Sequence, residues 1–452
     1  MDGKKTELFE QYSIPRAVAA LALPSVMSTV VMILYNIADT FFVGLLSDPV
    51  ETAAVSLAAP ALLAFNAVNN LFGVGGASFI GRSFGRKDYD TAKRCSVFVF
   101  YSALIISVLI SLAYVLFKAP LLKLLGADEA TAASTAEYLK WTVLCGAVPA
   151  IMNMILSNLV RSEGVAMQAG IGVISGCILN IILDPFFVLP QFLGMGAAGA
   201  GCATFISNCF SLIYLLGVMF FRRRVTALSL NPGIFAFNRN ITREVFNVGI
   251  PAAVQNLLNV TGSVILNNFT AGYGADAVSA MGIAHKINLL PLYITMGITQ
   301  GVMPFISYNW TSNRQRMKEA CLFLLKATVA ITLVLGAAMY FFAGGLMRLF
   351  ISDAGVIAHG QILLKEMATG IPFLALDFMV VAVFQSIGKG KASLIFAISR
   401  KILLEIPAII ILNMLYPLYG MGYSQPAAEF VLSIAAVFML RKIFRECEDT
   451  PA

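Results

Sequence analysis

Long apolar runs recur along the whole chain, and they constrain its fold more than any other feature. Twelve of them reach the roughly 20 residues that an α-helix needs to cross a bilayer. These spans cover residues 17–44, 53–81, 95–117, 138–160, 166–189, 195–221, 246–271, 278–307, 320–343, 362–387, 393–416 and 420–440. The runs are too long for strands and lack the short alternating segments of a membrane β-barrel. The sequence therefore predicts an all-α polytopic membrane protein with 12 transmembrane helices.

The low share of charged residues supports this prediction. Of 452 residues, 59% are hydrophobic and 12% are charged, whereas an ordinary soluble domain carries about 25% charged residues. So few charges cannot cover the water-facing surfaces of the several soluble domains that this length would otherwise suggest. The seven cysteines show no C-x-x-C spacing, so neither a disulfide framework nor a metal site is indicated.

The basic residues lie almost entirely on one side of the predicted membrane. Most of the loop Lys and Arg residues belong to the termini and the even-numbered loops, whereas the opposite side carries Lys118, Lys123 and Arg348. Because positively charged loops remain in the cytoplasm, we predict that both termini are cytoplasmic and that the chain lies in the plasma (inner) membrane. The asymmetry also accounts for the net charge of +7 without a nucleic-acid partner.

The two halves of the chain resemble each other at a nearly constant offset. The matching elements are Ala22-Leu23-Pro24 with Gly249-Ile250-Pro251, Ala54-Val55-Ser56 with Ala277-Val278-Ser279, Phe79-Ile80 with Phe305-Ile306, Ser162-x-Gly164 with Ser386-x-Gly388, and Gly194-Met195-Gly196 with Gly420-Met421-Gly422. Six spans per half make the repeats parallel, and such repeats are typical of transporters whose two bundles rock around a substrate path. We predict lobes over residues 1–221 and 244–452, joined by a basic linker over 222–243.

Acidic residues inside the spans are functional candidates, because a charge at the centre of a span costs about 2.5–3.5 kcal/mol on insertion scales. Asp39 and Asp184 fall near the outer ends of the first and fifth spans, at one level of the same bundle. Tyr35 and Asn180 each precede one of them by one helical turn, on the same helix face. Such a pair can bind a proton, or Na⁺ through oxygen ligands. For either aspartate alone, a polar residue at a wetted helix end is the alternative.

A second acidic group, which we rank below the first, is spread over the later half of the chain. It consists of Asp377, Glu405 and Glu429, and Lys286 could neutralise one of them in a purely structural ion pair. Pro24 lies inside the first span, where its missing N–H can kink the helix. That kink is either a hinge or a static packing feature.

No motif indicates catalysis. The two histidines do not make a metal cluster, and no G-x-x-x-x-G-K-[ST] sequence occurs, so neither an enzyme nor a self-contained ATP-driven pump is favoured. A channel is disfavoured as well, because no Gly-rich, filter-like loop lies between the spans.

Several motifs resemble those of the MATE (multidrug and toxic compound extrusion) family, in its bacterial DinF-type or MepA-like branch. They are Leu23-Pro24, the segment 39–44 (DTFFVG), the segment 69–76 (NNLFGVGG), Gly81-Arg82 with the segment 85–88 (GRKD), the segment 179–185 (LNIILDP), and Gly388-Lys389. The resemblance covers essentially the whole chain. It implies two pseudo-symmetric six-helix lobes in a V shape around a central cavity, which export organic cations by alternating access in antiport with H⁺ or Na⁺.

The resemblance also implies a cation site for H⁺ or Na⁺ in the first lobe, with Pro24 as the bending proline. The residues that match this site are Asp39, Asp184, Asn180, Tyr35 and Thr204. Asn259 is a departure, because the NorM-type branch has a Glu at that place in the seventh span. Asp377 matches that branch's Asp in the tenth span. Because Asn259 replaces the Glu, the resemblance favours a cation site in the first lobe over one in the second.

We therefore expect a secondary active multidrug exporter that needs no cofactor and acts as a monomer. Its expected partners are small lipophilic organic cations and the lipid bilayer. The alternative function is a flippase for a lipid-linked or polyisoprenoid substrate, since related folds move lipids. A membrane-embedded enzyme or a channel is the third interpretation.

Overall fold

The computed structural model describes residues 3–46 and 48–448, without the side chains of residues 3–6 and 40. Two parts of the predictions lie outside this description. They are the outermost ends of the two predicted lobes, residues 1–2 and 449–452, and the side chain of Thr40 in the 39–44 motif. In the described ranges, the regular secondary structure is helical throughout, with no strand.

Nine helices form the first half of the chain. They are α1 (Gly3–Glu10), α2 (Ile14–Gly44), α3 (Pro49–Val68), α4 (Gly75–Gly85), α5 (Tyr89–Leu124), α6 (Ala132–Leu139), α7 (Ala147–Ser162), α8 (Ala166–Val188) and α9 (Gly196–Phe221). Helix α2 covers the first predicted span, α8 the fifth and α9 the sixth. A π-helical segment, Asn69–Val74, joins α3 to α4, and another, Lys140–Cys145, joins α6 to α7.

Eight helices form the second half. They are α10 (Arg239–Ala271), α11 (Ala275–Ser312), α12 (Arg314–Arg348), α13 (Ala354–Ala368), α14 (Ile371–Ser386), α15 (Gly390–Ile398), α16 (Ile406–Leu415) and α17 (Ser424–Glu448). The π-helical segment Ser399–Glu405 joins α15 to α16, and short 3₁₀ helices lie at Pro232–Ile234 and Tyr419–Tyr423.

Each of the twelve predicted spans coincides with one helix or one interrupted helix. Within the described residues, eight helices are long and apolar enough to cross a membrane, and two bent pairs raise this number to ten. The bent pairs are α6–α7 with a bend of 47° and α13–α14 with a bend of 48°. The last two spans, over α15–α16 and α17, are not among these ten; the first contains the buried charged residues Arg400, Lys401 and Glu405, and the second contains Glu429.

Side-chain caps explain where several helices begin. Asp88 caps α5 by accepting a hydrogen bond from the backbone N of Thr91 at 3.0 Å, and Asn313 caps α12 through the backbone N of Arg316 at 2.9 Å. Such caps satisfy N–H groups that have no partner within the helix. The hydrogen bonds from Thr91 also hold the pKa of Asp88 below its usual range.

The two lobes, α2–α9 and α10–α17, meet closely at the helix ends that carry the basic residues. Arg82 of α4 forms an ion pair with Glu244 of α10, with 2.8 Å between Nη1 and Oε2. Near it, the backbones of α4 and α11 approach so closely that a Cβ atom at Gly85 would lie 2.0 Å from the carbonyl oxygen of Tyr308. The structure is therefore closed on the basic side.

Helix α1 crosses this closed side. The side chain of Phe9 is fully buried and stacks on the ring of Tyr308, with 4.7 Å between ring centroids. Glu10 accepts a hydrogen bond from the hydroxyl of Tyr308 at 2.6 Å, and Arg316 donates to the carbonyl oxygen of Phe9 at 2.7 Å. The N-terminal helix thus joins the first lobe to the second.

The segment between the lobes packs along α5. Tyr101 donates a hydrogen bond to the carbonyl oxygen of Leu230 at 2.9 Å, and Glu163 accepts one from the backbone N of Ala227 at 2.7 Å. Helix α10 begins at Arg239, so residues 239–243 of the predicted linker are helical. The reason is Asn238, whose side chain accepts a hydrogen bond from the backbone N of Asn240 at 2.9 Å and caps the helix.

Candidate functional site

The structure brings the polar residues of the first lobe together where α2, α8 and α9 meet. Asp39 and Asp184 each lie about one turn before the C-terminal end of their helix. They are close enough to interact electrostatically with each other and with Tyr35. The hydroxyl of Tyr35 lies 3.4 Å from Oγ1 of Thr204. Packing of α8 between α2 and α9 creates this arrangement.

Asn180 links the carboxylate of Asp184 to Thr204. With the amide oriented to satisfy both neighbours, Nδ2 donates to Oδ2 of Asp184 at 3.0 Å, and the amide oxygen accepts from the backbone N of Thr204 at 3.1 Å and from its Oγ1 at 3.3 Å. Asn180 is 1% exposed and Asp184 is fully buried. The three side chains therefore form one connected hydrogen-bonded chain inside the lobe.

The two aspartates have spare acceptor capacity. Oδ1 of Asp39 and Oδ1 of Asp184 are buried and have no hydrogen-bond partner. In the part of the chain that the structure describes, neither carboxylate forms an ion pair with a basic side chain. A buried carboxylate without a compensating charge is costly, so this pair is suited to take up a cation.

Tyr138 is a neighbour of the pair that the sequence analysis missed. It precedes the π-helical segment of the fourth span, is 3% exposed and interacts electrostatically with Asp39, Asp184 and Tyr35. Nothing in its local sequence distinguishes it from an ordinary buried tyrosine in an apolar run. Only the packing of α6 beside α9 brings it to the carboxylates.

The Thr204 hydroxyl offers a direct test of this network. Thr204→Val keeps the side-chain shape but removes the hydrogen bonds to Tyr35 and Asn180, and one such bond contributes about 1 kcal/mol. We expect the half-saturating concentration of the coupling ion in a transport assay to rise about fivefold. Thr204→Ser keeps the hydroxyl and should behave like the parent chain. An unchanged ion dependence in Thr204→Val would contradict a role for Thr204 in this site.

The acidic residues of the second lobe form a different kind of cluster. Asp377 of α14, Glu405 of the π-helical segment and Glu429 of α17 are at most 7% exposed. Nε of Arg400 lies 3.5 Å from Oε1 of Glu429, and Nζ of Lys401 lies 2.6 Å from Oε1 of Glu405. Glu429 and Glu405 thus each have one buried cation as a partner, whereas Asp377 forms no ion pair within the described residues and both of its carboxylate oxygens are buried without a hydrogen-bond partner.

The expected pairing of this cluster with Lys286 is wrong. Lys286 is exposed on α11, and Glu429 and Glu405 have Arg400 and Lys401 as partners instead. The sequence analysis missed these two residues, although a basic pair inside the predicted span 393–416 was a visible signal. Asn259 lies beside them and lines a narrow gap together with Gln255.

Pro24 lies within α2, which continues through it without a break. Because proline has no N–H, one backbone hydrogen bond of the helix is missing at this point. The hydroxyl of Ser28 donates to the carbonyl oxygen of Pro24 at 2.7 Å. On the other side α8 packs closely, since a Cβ atom at Gly170 would lie 3.1 Å from that same oxygen.

Two repeated helical bundles with buried polar sites define a class of protein, the multi-pass membrane transporter built from parallel repeats. The particular family follows from its sequence profile. The profile of the MatE family matches residues 24–186 and 251–411, one match in each half of the chain. The chain belongs to the MatE family.

Curated relatives agree with this assignment over nearly the full length. The chain is 30% identical over 444 residues to the multidrug export protein MepA of Staphylococcus aureus (strain MRSA252), covering 98% of this chain and 97% of that protein. The protein of the same name from Staphylococcus saprophyticus is 29% identical over the same length.

Solved structures show the same fold. A structure described as the outward-facing conformation of a multidrug resistance MATE family transporter superposes with a TM-score of 0.93 at 25% identity, covering 99% of both chains. A MATE transporter in the straight conformation superposes with a TM-score of 0.92, also at 25% identity and 99% coverage. MATE transporters have 12 transmembrane helices in two bundles, so the predicted fold class is confirmed.

Proposed function

We propose that this protein is a secondary active exporter of lipophilic organic cations, driven by antiport of H⁺ or Na⁺ across the plasma membrane. The observation that carries the proposal is the buried pair of Asp39 and Asp184, which lacks a basic partner. In the second lobe, Glu429 and Glu405 are paired with Arg400 and Lys401, which leaves Asp377 as a single unpaired carboxylate rather than a pair. The name of the curated relatives, multidrug export protein, agrees with efflux as the direction.

The unpaired carboxylates supply a physical reason for antiport. A proton or Na⁺ that binds at Asp39 and Asp184 removes their attraction for an organic cation, so the ion and the substrate compete for one negative site. Exchange then requires the site to face one side of the membrane at a time. We propose that Pro24, at a point where α2 lacks a backbone hydrogen bond, is the hinge of this change.

The coupling ion would use the oxygens of the first-lobe site. Among the residues that the structure describes, no group of three or more His, Cys, Asp and Glu side chains could hold a metal ion. Na⁺ would therefore need the two carboxylates together with neutral oxygens of Asn180 and Thr204. The amide oxygen of Asn180 faces Thr204, so Na⁺ binding at Asp184 requires the amide to turn. A proton needs no such change.

The closed basic side relates the structure to the transport cycle. We propose that the basic ends of the helices, both termini and the linker are cytoplasmic, following the charge rule for membrane proteins. The conformation closed at these ends is then the one in which the first-lobe site exchanges ions with the outside. Opening at Arg82–Glu244 and at Gly85–Tyr308 would release the ion to the cytoplasm and admit substrate.

Efflux of a fluorescent cation from cells or proteoliposomes tests the proposed function. We expect export of ethidium when either an inward proton gradient or an inward Na⁺ gradient is imposed, with the other ion held equal on both sides. The ion whose gradient drives export is the coupling ion. Export that requires neither gradient, or no export of any lipophilic cation by the purified protein, would overturn the proposal.

A further inference from the structure

A small cavity lies between the two lobes, next to the closed basic side. Its polar lining residues are Ser78, Asn158 and Arg161 from the first lobe and Gln300 and Ser307 from the second. It is separate from the first-lobe aspartates and from the charged cluster of the second lobe. Tight packing borders it, since a Cβ atom at Gly81 would lie 2.6 Å from Cβ of Ser307.

Arg161 gives this cavity an uncompensated positive charge. Within the described ranges, Arg161 forms no ion pair, and no carboxylate lines the cavity. Its Nε is buried without a hydrogen-bond partner, and its Nη2 has a single contact, at 3.5 Å from the hydroxyl of Ser157. A buried guanidinium nitrogen without a hydrogen-bond acceptor is costly, so the cavity is suited to an anion.

Donors from the opposite lobe face the same space. Ser307 is fully buried, and its hydroxyl has no hydrogen-bond partner. Gln300 also lines the cavity, one turn before Pro304 on α11. An anion bound to Arg161 would therefore accept hydrogen bonds from both lobes at once.

We propose that this cavity binds a small inorganic anion of about the size of chloride, which bridges the two lobes. Arg161 supplies the charge, and Ser307 and Gln300 supply donors from the second lobe. Water could satisfy the donors but leaves the charge uncompensated. Because the two sets of donors meet only when the basic side is closed, bound anion stabilises the closed conformation over one in which the lobes separate.

Thermal unfolding of the purified full-length protein tests this site. We measure the unfolding midpoint against chloride concentration, replacing chloride by gluconate, a much larger organic anion, at constant ionic strength. We expect a saturable rise of about 2 °C in the midpoint with chloride. Arg161→Gln should abolish the rise, whereas Arg348→Gln, which removes an exposed arginine at the opposite ends of the helices, should retain it.

A second variant separates the bridging role from simple charge neutralisation. Ser307→Ala removes one donor of the second lobe, and we expect it to weaken the apparent chloride affinity about fivefold, the effect of one hydrogen bond. If Arg161→Gln does not fold, Ser307→Ala provides the test of the site instead. Equal midpoints in chloride and gluconate, or a chloride-dependent rise that persists in Arg161→Gln, would overturn the site. Unchanged chloride affinity in Ser307→Ala would overturn the bridge between lobes.

Discussion

Asp39→Asn and Asp184→Asn are each expected to lower gradient-driven efflux at least about tenfold. Either change removes one of two carboxylates whose charge a coupling ion compensates, and coupling between ligands in one protein amounts to about 1–3 kcal/mol. The measurement is ethidium efflux from proteoliposomes with the driving ion gradient imposed. Glu129→Gln is the matched control, because Glu129 is exposed in the loop between α5 and α6. It should transport like the parent chain.

Loss of folding must be separated from loss of coupling in these variants. Each Asn replacement removes a buried charge that lacks a basic partner, so we expect the thermal unfolding midpoint to stay the same or to rise. Full gradient-driven efflux in both variants would disprove the assignment of the coupling site. A marked fall in stability would show instead that the carboxylates have structural partners.

Gly249→Ala is expected to prevent closure of the basic side and to lower transport at least about tenfold. Gly249 of α10 faces the π-helical segment of the first lobe, where an added Cβ atom would lie 1.9 Å from the carbonyl oxygen of Leu71. A backbone oxygen cannot rotate away as a side chain can, so the lobes must separate. Overpacking of this kind costs about 1–3 kcal/mol, and 1.4 kcal/mol changes a conformational equilibrium about tenfold.

Distances between spin labels can detect this separation. Labels on residues 94 and 239, which are exposed on the two lobes at the basic ends, should move apart in Gly249→Ala in a background without native cysteines. Gly282→Ala is the control, because no atom lies within 4 Å of a Cβ atom built there. Unaltered label distances in Gly249→Ala would show that the contact of α10 with Leu71 is not required for closure.

The membrane spans could be predicted from the sequence because each is a long contiguous run of apolar residues. The repeat could be predicted because short motifs recur at a nearly constant offset. The positions of Asp39 and Asp184 along their helix axes could also be predicted from the sequence, because each residue of an α-helix adds the same rise. Asn180 and Tyr35 could be placed beside them by helical periodicity alone. Thr204 was named from the family resemblance, and the packing of α9 against α8 explains its position.

The partners of the second-lobe carboxylates could not be obtained in this way. Whether Glu429 meets Arg400 or Lys286 depends on the rotation of α17, α11 and the π-helical segment about their axes, and helical periodicity does not specify that rotation between helices. A π-helical segment changes the direction of its side chains, which moves Arg400 and Lys401 into the interior. The position of Tyr138 beside the aspartates could not be predicted either, because it depends on the packing of α6 against α9.

By itself, the sequence determined that this chain is a helical membrane protein of two parallel repeats, because hydropathy and loop charge are properties of contiguous residues. It also predicted which acidic residues lie at membrane depth. Only the tertiary structure decided which of those acids are compensated and which are not, since compensation depends on contacts between helices distant in sequence. It alone placed Arg161 opposite Ser307, because that cavity exists only where the two lobes meet.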